Sequence, residues 1–358
     1  MKFIDEFRDR ELAKALIQKI HQMSKRPIQL MEVCGTHTVS IFRYGIRGVL
    51  PEHIRLLSGP GCPVCVTPNR DIDLAIALSR QRDVILVIFG DMVRVPGSSS
   101  NLLREKAEGR DIRIVYSPLE ALKIASEHPD RKVVFFAIGF ETTSPTIAVT
   151  VERAREQRIS NLFFLNSQKV VPPAIRALLQ SKRLNVDGFI LPGHVSTIIG
   201  TKPYQFIATE FRRPAVVTGF EPLDILQGVW MLVRQVEENR ADVEIQYRRV
   251  VREDGNPLAK NKLKEIYEEA DGHWRGLGTI PGSGYRFREP YRAMDARTFN
   301  VDVEPSKEHP ECRCGEVLQG VTTPLECRLF KVVCHPENPI GPCMVSIEGT
   351  CFTYYKYQ

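Results

Sequence analysis

Short apolar runs alternate with longer amphipathic stretches along most of the chain. Eight runs have the length and the β-branched or aromatic content of buried strands, at residues 28–33, 54–57, 84–89, 112–116, 133–138, 162–165, 188–191 and 215–217. Stretches with helical periodicity follow them, as at residues 72–78. This alternation predicts an α/β protein whose parallel sheets are covered by helices on both faces.

The eight runs divide into two sets of four, which predicts two Rossmann-like α/β domains at residues 28–127 and 128–240. A faint repeat accompanies them, because IFGD (88–91), IGFE (138–141) and TGFE (218–221) each place Gly and an acidic residue after an apolar run. Ligands of parallel sheets bind at the carboxyl ends of the strands. We therefore expect a binding cleft between the two domains.

The alternation stops after residue 240. Residues 251–287 combine one charged helix with Gly- and Pro-rich loops. We predict a third, irregular domain that contains residues 241–358 together with residues 1–27. Residues 1–27 are predicted to contain an amphipathic helix and no strand. The apolar residues of this helix lie near one face: Phe3, Phe7, Leu12, Leu16 and Ile20.

Net charge and hydropathy exclude several classes of protein. The formal charge is only +6 over 358 residues, and basic residues alternate with acidic ones, as in Arg8-Asp9-Arg10. This pattern indicates solvated helix faces rather than a nucleic-acid surface. No apolar run approaches the roughly 20 residues of a membrane span, and acidic residues from position 5 argue against a secretory signal. We expect a cytoplasmic protein that binds neither nucleic acid nor membrane.

The nine cysteines fall into two groups. Three lie within the first 65 residues, and six lie within the last 47: Cys312, Cys314, Cys327, Cys334, Cys343 and Cys351. Structural disulfides are rare in a reducing cytoplasm, and scattered buried thiols would not cluster in this way. The distribution predicts two separate cysteine chemistries.

The first candidate is Cys34 in MEVCGTHTVS, where a predicted strand leads into a predicted helix. A thiol at a helix N-terminus is expected to have a lowered pKa, because the helix dipole stabilises the thiolate. His37 follows three residues later, and both side chains are metal ligands. A small buried thiol at a strand end is an equally good interpretation of Cys34 taken alone.

The second candidate is the pair Cys62 and Cys65 in GPGCPVC. Two cysteines separated by two residues, one of them proline, are typical of redox-active dithiols. Half of a zinc site is the main alternative, since zinc needs two further ligands. The rigid Gly-Pro-Gly segment suits thiols that react, and we favour the redox role.

The six C-terminal cysteines are the strongest signal. Four thiolates hold an iron–sulfur cube or a zinc ion. Zinc ribbons contain two tight CxxC knuckles, which this segment lacks, and it also lacks the CxxxCxxC triplet of radical enzymes. Uneven spacing with Pro and Gly between the cysteines suits a cluster wrapped by loops.

Three further polar residues follow predicted strands: Asp91, Glu141 and His194. Each alone is best explained as a helix cap or as a buried group with its hydrogen bonds satisfied. Their shared position at strand ends raises the expectation that some of them face the cleft.

Long motifs along the whole chain resemble the HypD family of nickel–iron hydrogenase maturation factors. They are MEVCGTHT, GPGCPVC, FGDMVRVPG, VVFFAIGFETTSPT, LPGHVSTIIG, GFEPLDILQGV, QYRRVV, WRGLG and MVSIEGTC. The resemblance implies two α/β domains and a third domain with a 4Fe–4S cluster. It implies a scaffold on which iron receives two cyanides and one carbon monoxide. The small chaperone HypC and the cyanide donor HypE would be partners, and the hydrogenase large subunit would receive the product.

Residue by residue, the resemblance makes Cys34 the ligand of the iron, with His37 beside it in the same motif. Cys62 and Cys65 match a pair that exchanges electrons. The expected cluster ligands are Cys314, Cys327, Cys334 and Cys351, while Cys312 and Cys343 lie beside the matching positions and either could replace one of them. A redox-active scaffold of this kind need not be a turnover enzyme.

Two alternatives remain at the level of the sequence. An iron–sulfur-dependent thiol/disulfide oxidoreductase would use the same cluster and CxxC pair, but its Cys34 would not need to hold iron. A zinc-stabilised interaction module is the third interpretation, and a brown colour after anaerobic purification would exclude it.

Overall fold

A computed structural model describes residues 5–181 and 183–358. Phe3, which we assigned to the N-terminal helix, lies outside the described residues. The described strands are β1 (Ile28–Glu32), β2 (Ile54–Ser58), β3 (Val84–Phe89), β4 (Ile112–Val115), β5 (Lys132–Ala137), β6 (Leu162–Asn166), β7 (Gly188–Pro192), β8 (Ala215–Thr218), β9 (Val243–Ile245), β10 (Tyr267–Trp274) and β11 (Gly278–Phe287).

The described α-helices include long ones that cover the sheets and short ones in the connecting loops. They are α1 (Arg10–Met23), α2 (Gly35–Arg43), α3 (Ile46–Val49), α4 (Pro63–Val66), α5 (Asn69–Ser79), α6 (Leu102–Ala107), α7 (Glu120–Glu127), α8 (Ser144–Glu156), α9 (Val171–Gln180), α10 (Gly193–Ile199), α11 (Gln205–Thr209), α12 (Pro222–Glu237), α13 (Pro257–Ile266), α14 (Cys314–Leu318), α15 (Pro342–Val345) and α16 (Thr350–Tyr357). Among them, none is long and apolar enough to cross a membrane.

The strands β1 to β8 confirm the eight apolar runs. They form two parallel sheets: sheet A has the order β2-β1-β7-β8-β9, and sheet B has the order β4-β3-β5-β6. A central strand such as β7 is buried along its whole length, because helices cover both faces of the sheet. The predicted α/β class with two parallel sheets is therefore correct.

The sheets do not follow the predicted boundary between residues 127 and 128. Strand β1 pairs with β7, and β3 pairs with β5, so each sheet joins strands from both sides of that boundary. Sheet B takes all its strands from residues 84–166, and sheet A takes its strands from residues 28–58 and 188–245. Hydrophobic periodicity identifies strands but carries no information about their partners, which explains the difference.

The N-terminal helix α1 packs on sheet A rather than on the cysteine-rich region. It lies against α12, and its fully buried Ile20 belongs to the core formed by Ile28, Leu30 and Ile190 of the sheet. Arg8, just before the helix, forms a 2.6 Å ion pair with Glu221 at the start of α12. The prediction that residues 1–27 join the third region does not match these contacts, because the apolar face of α1 meets sheet A.

The region after residue 240 contains more regular structure than its sequence suggests. Strand β9 completes sheet A, α13 is the predicted charged helix, and β10 and β11 form an antiparallel hairpin. The hairpin buries Tyr267 and Phe287 in one core and Trp274 in another. From residue 288 onward the chain forms short helices and loops, which place the six cysteines beside α4.

Candidate functional site

Cys34 lies where the carboxyl end of β1 enters α2. The residue is extended, with φ −148° and ψ 123°, and its relative exposure is 8%. The loop that carries Cys62 and Cys65 packs directly against it: Gly35 N–H donates to Gly61 O at 2.9 Å. A Cβ added to Gly61 would lie only 2.2 Å from Cys34 N. The GPG segment therefore holds the CxxC pair against the Cys34 loop.

The pKa of Cys34 is raised to about 12, mainly because burial disfavours the thiolate and secondarily because the Glu348 carboxylate is near. The backbone N–H groups of Thr36 and His37 act in the opposite direction, as expected at a helix N-terminus. The prediction of a lowered pKa is therefore wrong, since desolvation outweighs the helix dipole.

Carboxyl groups surround the Cys34 loop. Glu32 is almost fully buried and accepts hydrogen bonds from Cys34 N at 3.2 Å and from Thr38 Oγ1 at 2.5 Å, and burial raises its pKa to about 8. Glu348 accepts a hydrogen bond from Thr36 Oγ1 at 2.7 Å. Burial raises the pKa of Glu348, and the exposed Asp91 is close enough to raise it further.

Two of these carboxyl groups were not among the residues singled out from the sequence. Glu32 is a charged residue in a strand that also contains Ile28, Leu30 and Met31, and this is a detectable signal, since buried acids need partners. Glu348 lies in the motif MVSIEGTC, far from Cys34 in sequence, and only the fold brings it to Thr36. Asp91 is the predicted cleft residue that the structure places beside them.

His37 and His194 meet on the ring of Phe220. The centroid of the Phe220 ring lies 4.6 Å from the centroid of the His37 ring and 3.9 Å from that of the His194 ring, and both pairs are stacked. His37 is fully buried; its Nε2 lies 2.9 Å from Gly219 O, and its Nδ1 has no hydrogen-bond partner among the described residues. Burial lowers the pKa of His37 to about 4, so the imidazole is neutral at pH 7. Burial also lowers the pKa of His194.

Glu141 is buried in the loop between β5 and α8. Its Oε1 accepts a hydrogen bond from Val171 N at 3.0 Å, while no described residue bonds its Oε2. Burial raises its pKa to about 7. The phenol of Tyr204, also fully buried, is close enough to both Glu141 and Cys34 for their charges to raise its pKa beyond the effect of burial.

Cys62 caps the short helix α4, and its Sγ accepts a hydrogen bond from Cys65 N at 3.3 Å. Both side chains are buried, with relative exposures of 3% and 0%. Burial raises the pKa of Cys65 well above its usual range, and Cys343 of the C-terminal region is a hydrogen-bonding neighbour of its thiol. The CxxC pair therefore touches both Cys34's loop and the C-terminal cysteines.

All six C-terminal cysteines line one cavity with an empty volume of about 340 Å³. Apolar side chains close it, including Leu329, Phe330 and Met344. The Sγ atoms of Cys314 and Cys343 lie only 2.8 Å apart. Cys343 thus neighbours Cys65 on one side and Cys314 on the other, and it links the CxxC pair to the cavity.

The four cysteines that the sequence assigned to the cluster lie around this cavity together with Cys312 and Cys343. Among residues 5–181 and 183–358, no group of three or more His, Cys, Asp or Glu side chains is arranged to hold a single metal ion. An iron–sulfur cube is bound differently, because each cysteine binds a separate iron at a corner of the cube. Six thiols around one apolar cavity fit that requirement.

Comparison with known proteins gives matches over the full chain. The HypD profile, described as the hydrogenase formation hypA family, matches residues 11–358. Hydrogenase maturation factor HypD2 of Bradyrhizobium diazoefficiens is 47% identical over 368 residues, covering 100% of this chain and 97% of the relative. Hydrogenase maturation factor HypD of Escherichia coli K12 is 45% identical over 367 residues, covering 100% and 98%.

Proposed function

The chain belongs to the HypD family of hydrogenase maturation factors, and on this premise we propose that it is the scaffold on which the Fe(CN)2CO group of nickel–iron hydrogenase is assembled. In this proposal the iron group is cargo. HypC shares the iron, HypE supplies the cyanide groups, and the hydrogenase large subunit receives the finished group. The observation that carries the proposal is the close packing of Cys34, the CxxC pair and the six-cysteine cavity.

Cys34 is proposed to bind the cargo iron. A thiolate is the soft ligand that iron with cyanide and carbon monoxide prefers. Because its pKa is raised to about 12, the thiol keeps its proton at pH 7 until the metal cation displaces it. Glu348 and Asp91 supply negative charge around the loop, which favours a cation at this position. Glu32, with a pKa of about 8, is mainly protonated at pH 7.

Cys62 and Cys65 are proposed to pass electrons between the cavity and the Cys34 loop. Oxidation of the pair to a disulfide releases two electrons and two protons, and reduction takes up the same number. Their burial keeps other thiols in the cell from the pair. The neighbouring thiols of Cys65, Cys343 and Cys314 provide a continuous buried connection to the cavity.

The cavity is proposed to hold a 4Fe–4S cluster, which supplies one-electron storage when bound. The sequence assigned Cys314, Cys327, Cys334 and Cys351 as its ligands. The 2.8 Å approach of Cys314 to Cys343 favours a different set, since these two thiols are already close partners. We propose Cys312 in place of Cys314, because Cys312 lines the same cavity.

The alternative function, a disulfide reductase acting on other proteins, has less support. Such an enzyme needs an attacking thiol that its substrate can reach. Cys62 and Cys65 are almost fully buried beneath the Cys34 loop, and burial raises the pKa of Cys65. An internal relay suits this geometry better.

Infrared spectroscopy of the anaerobically purified complex with HypC tests the proposal. The wild type should show the stretching bands of iron-bound cyanide and carbon monoxide. Cys34→Ser should lack these bands, because serine is a harder donor and a much weaker acid. The visible absorbance of the cluster, some distance from Cys34, is the internal control and should persist. Undiminished bands in Cys34→Ser would show that another residue holds the iron.

A further inference from the structure

A large open groove adjoins the six-cysteine cavity. One wall consists of residues 96–104, which include the start of α6, and the other consists of residues 307–310 and 337–340. The groove has a volume of about 610 Å³. Cys312 lines both the groove and the cavity. The groove is therefore the place where a molecule in solution comes next to a proposed ligand of the cluster.

The groove carries excess positive charge. Of its two carboxylates, Glu308 forms an ion pair with Arg275 at 3.0 Å, and Glu337 lies within hydrogen-bonding distance of His335, at 2.9 Å. Arg104 and Lys307 are exposed, and their charged groups form no ion pair or hydrogen bond with any residue that the structure describes. The positive charges of Arg104 and Lys307 therefore line the open groove without an ion-pair partner among the described residues, and they would attract an acidic protein.

The walls of the groove are firmly connected to each other. The buried Asp73 accepts hydrogen bonds from Ser98 N at 2.7 Å and from Ser98 Oγ at 2.8 Å. Ser98 Oγ in turn accepts a hydrogen bond from Lys307 N at 2.7 Å, and Asn69 Nδ2 donates to Lys307 O at 2.6 Å. These bonds bridge both walls, so the groove is preformed rather than created by a ligand.

The chemistry of the walls favours a protein over a small anion. The hydroxyls of Ser98 and Ser99, which would otherwise suit a phosphate, are occupied by Asp73 and Glu304. The side chain of Leu103 is 46% exposed on the wall. An apolar contact flanked by unpaired charges is typical of protein docking surfaces.

We propose that this groove is the docking site of a one-electron carrier protein with an acidic surface, which reduces the cluster at the face next to Cys312. The inference rests on the proposed function, since it requires a cluster in the cavity. In each encounter one electron leaves the carrier and enters the cluster, and no covalent bond is formed or broken. Two encounters supply the two electrons that, together with two protons from water, reduce one disulfide to a dithiol.

The test is the rate at which the full-length, anaerobically purified protein is reduced by reduced plant-type [2Fe–2S] ferredoxin, an acidic carrier. The test variant is Arg104→Glu with Lys307→Glu. The matched control is Arg10→Glu with Lys25→Glu, which reverses two exposed charges at α1, on sheet A. Stopped-flow absorbance should show that the test variant is reduced at least about tenfold more slowly at low salt, because electrostatic steering is reversed. The control should match the wild type.

Dithionite, a small reductant that needs no docking surface, separates the outcomes. It should reduce the wild type and both variants equally, and cluster absorbance should be equal in all three. Equal ferredoxin rates in the test variant and the wild type would overturn the docking proposal while leaving the cluster intact. Absence of cluster absorbance from the wild type would overturn the proposed function itself. If the double variant does not fold, Arg104→Ala with Lys307→Ala should still slow reduction several-fold and weaken its dependence on salt.

Discussion

The substitution Gly61→Ala should separate the Cys34 loop from the CxxC pair. The added methyl group would lie 2.2 Å from Cys34 N, 2.4 Å from Cys34 Cα and 2.4 Å from Val33 C, all of which are backbone atoms. Ordinary contacts of a Cβ begin at 3.4 Å, so the two segments must move apart by about 1.2 Å. No side-chain rotation relieves this contact.

The expected cost follows from the same geometry. Overpacking of a close-packed site costs about 1–3 kcal/mol, and the bond from Gly35 N–H to Gly61 O is weakened as well. The backbone of Gly61 is outside the left-handed region, so strain in φ adds nothing. We expect the free energy of unfolding to fall by about 2 kcal/mol and the iron-bound cyanide and carbon monoxide bands to weaken strongly.

Denaturant titration followed by circular dichroism measures the stability, and infrared absorption measures the bands. The matched control is Gly48→Ala in α3, where an added Cβ meets no atom within 4 Å. This change should leave the bands unaltered and be neutral or stabilise by up to about 1 kcal/mol, since alanine favours helices. If Gly61→Ala keeps both its stability and its bands, close packing of the two loops is not required for holding the iron.

Three further predictions concern the thiols and one buried acid. Alanine should abolish the cluster absorbance at each of three cavity cysteines, Cys327, Cys334 and Cys351. Alanine at Cys312 should also abolish the cluster absorbance, whereas alanine at Cys314 should leave most of it. Iron and sulfide analysis of the two variants shows which of these cysteines binds the cluster. Thiol counting after mild oxidation should show that Cys62 and Cys65 form a reversible disulfide with a potential of about −180 to −270 mV, and stoichiometric zinc at the pair would contradict the relay. Because burial raises the pKa of Glu141 to about 7, the fold favours its protonated form. The contribution of Glu141 to stability should therefore fall by up to about 3 kcal/mol as pH rises from 4.5 through 7. Glu141→Gln should lack this part of the loss, so its denaturant midpoint should fall less than that of the wild type between pH 5.5 and 8.

Apolar runs were sufficient to identify the strands of both sheets, because fully buried parallel strands have an unmistakable composition. They were not sufficient to give the strand order. The pairing of β1 with β7 joins residues more than 150 positions apart, and nothing in either segment specifies the other. The hairpin of β10 and β11 was missed because its burial does not alternate strictly and its sequence contains several glycines.

The candidate site, like the fold, could be predicted from the sequence only in part. The motifs selected cysteines that the fold brings together, but sequence spacing does not distinguish Cys312 from Cys314, which are separated by a single arginine. The sign of the shift in the pKa of Cys34 depends on how deeply the thiol is buried, and a helix N-terminus alone predicts the opposite. The packing of Glu348 against Thr36 joins two ends of the chain and becomes visible only in the fold.

The interrupted construction of sheet A has a consequence for protein synthesis. Residues 84–166, which form the whole of sheet B, leave the ribosome between the two halves of sheet A. At about 5–20 residues per second, β7 emerges roughly 10–30 s after β1, and Gly219, the partner of His37, emerges later still. The thiol of Cys34 is thus among the first residues made and among the last to reach its final surroundings. Only a finished chain therefore contains the complete proposed iron site, and on that proposal a truncated nascent chain would not sequester the metal there.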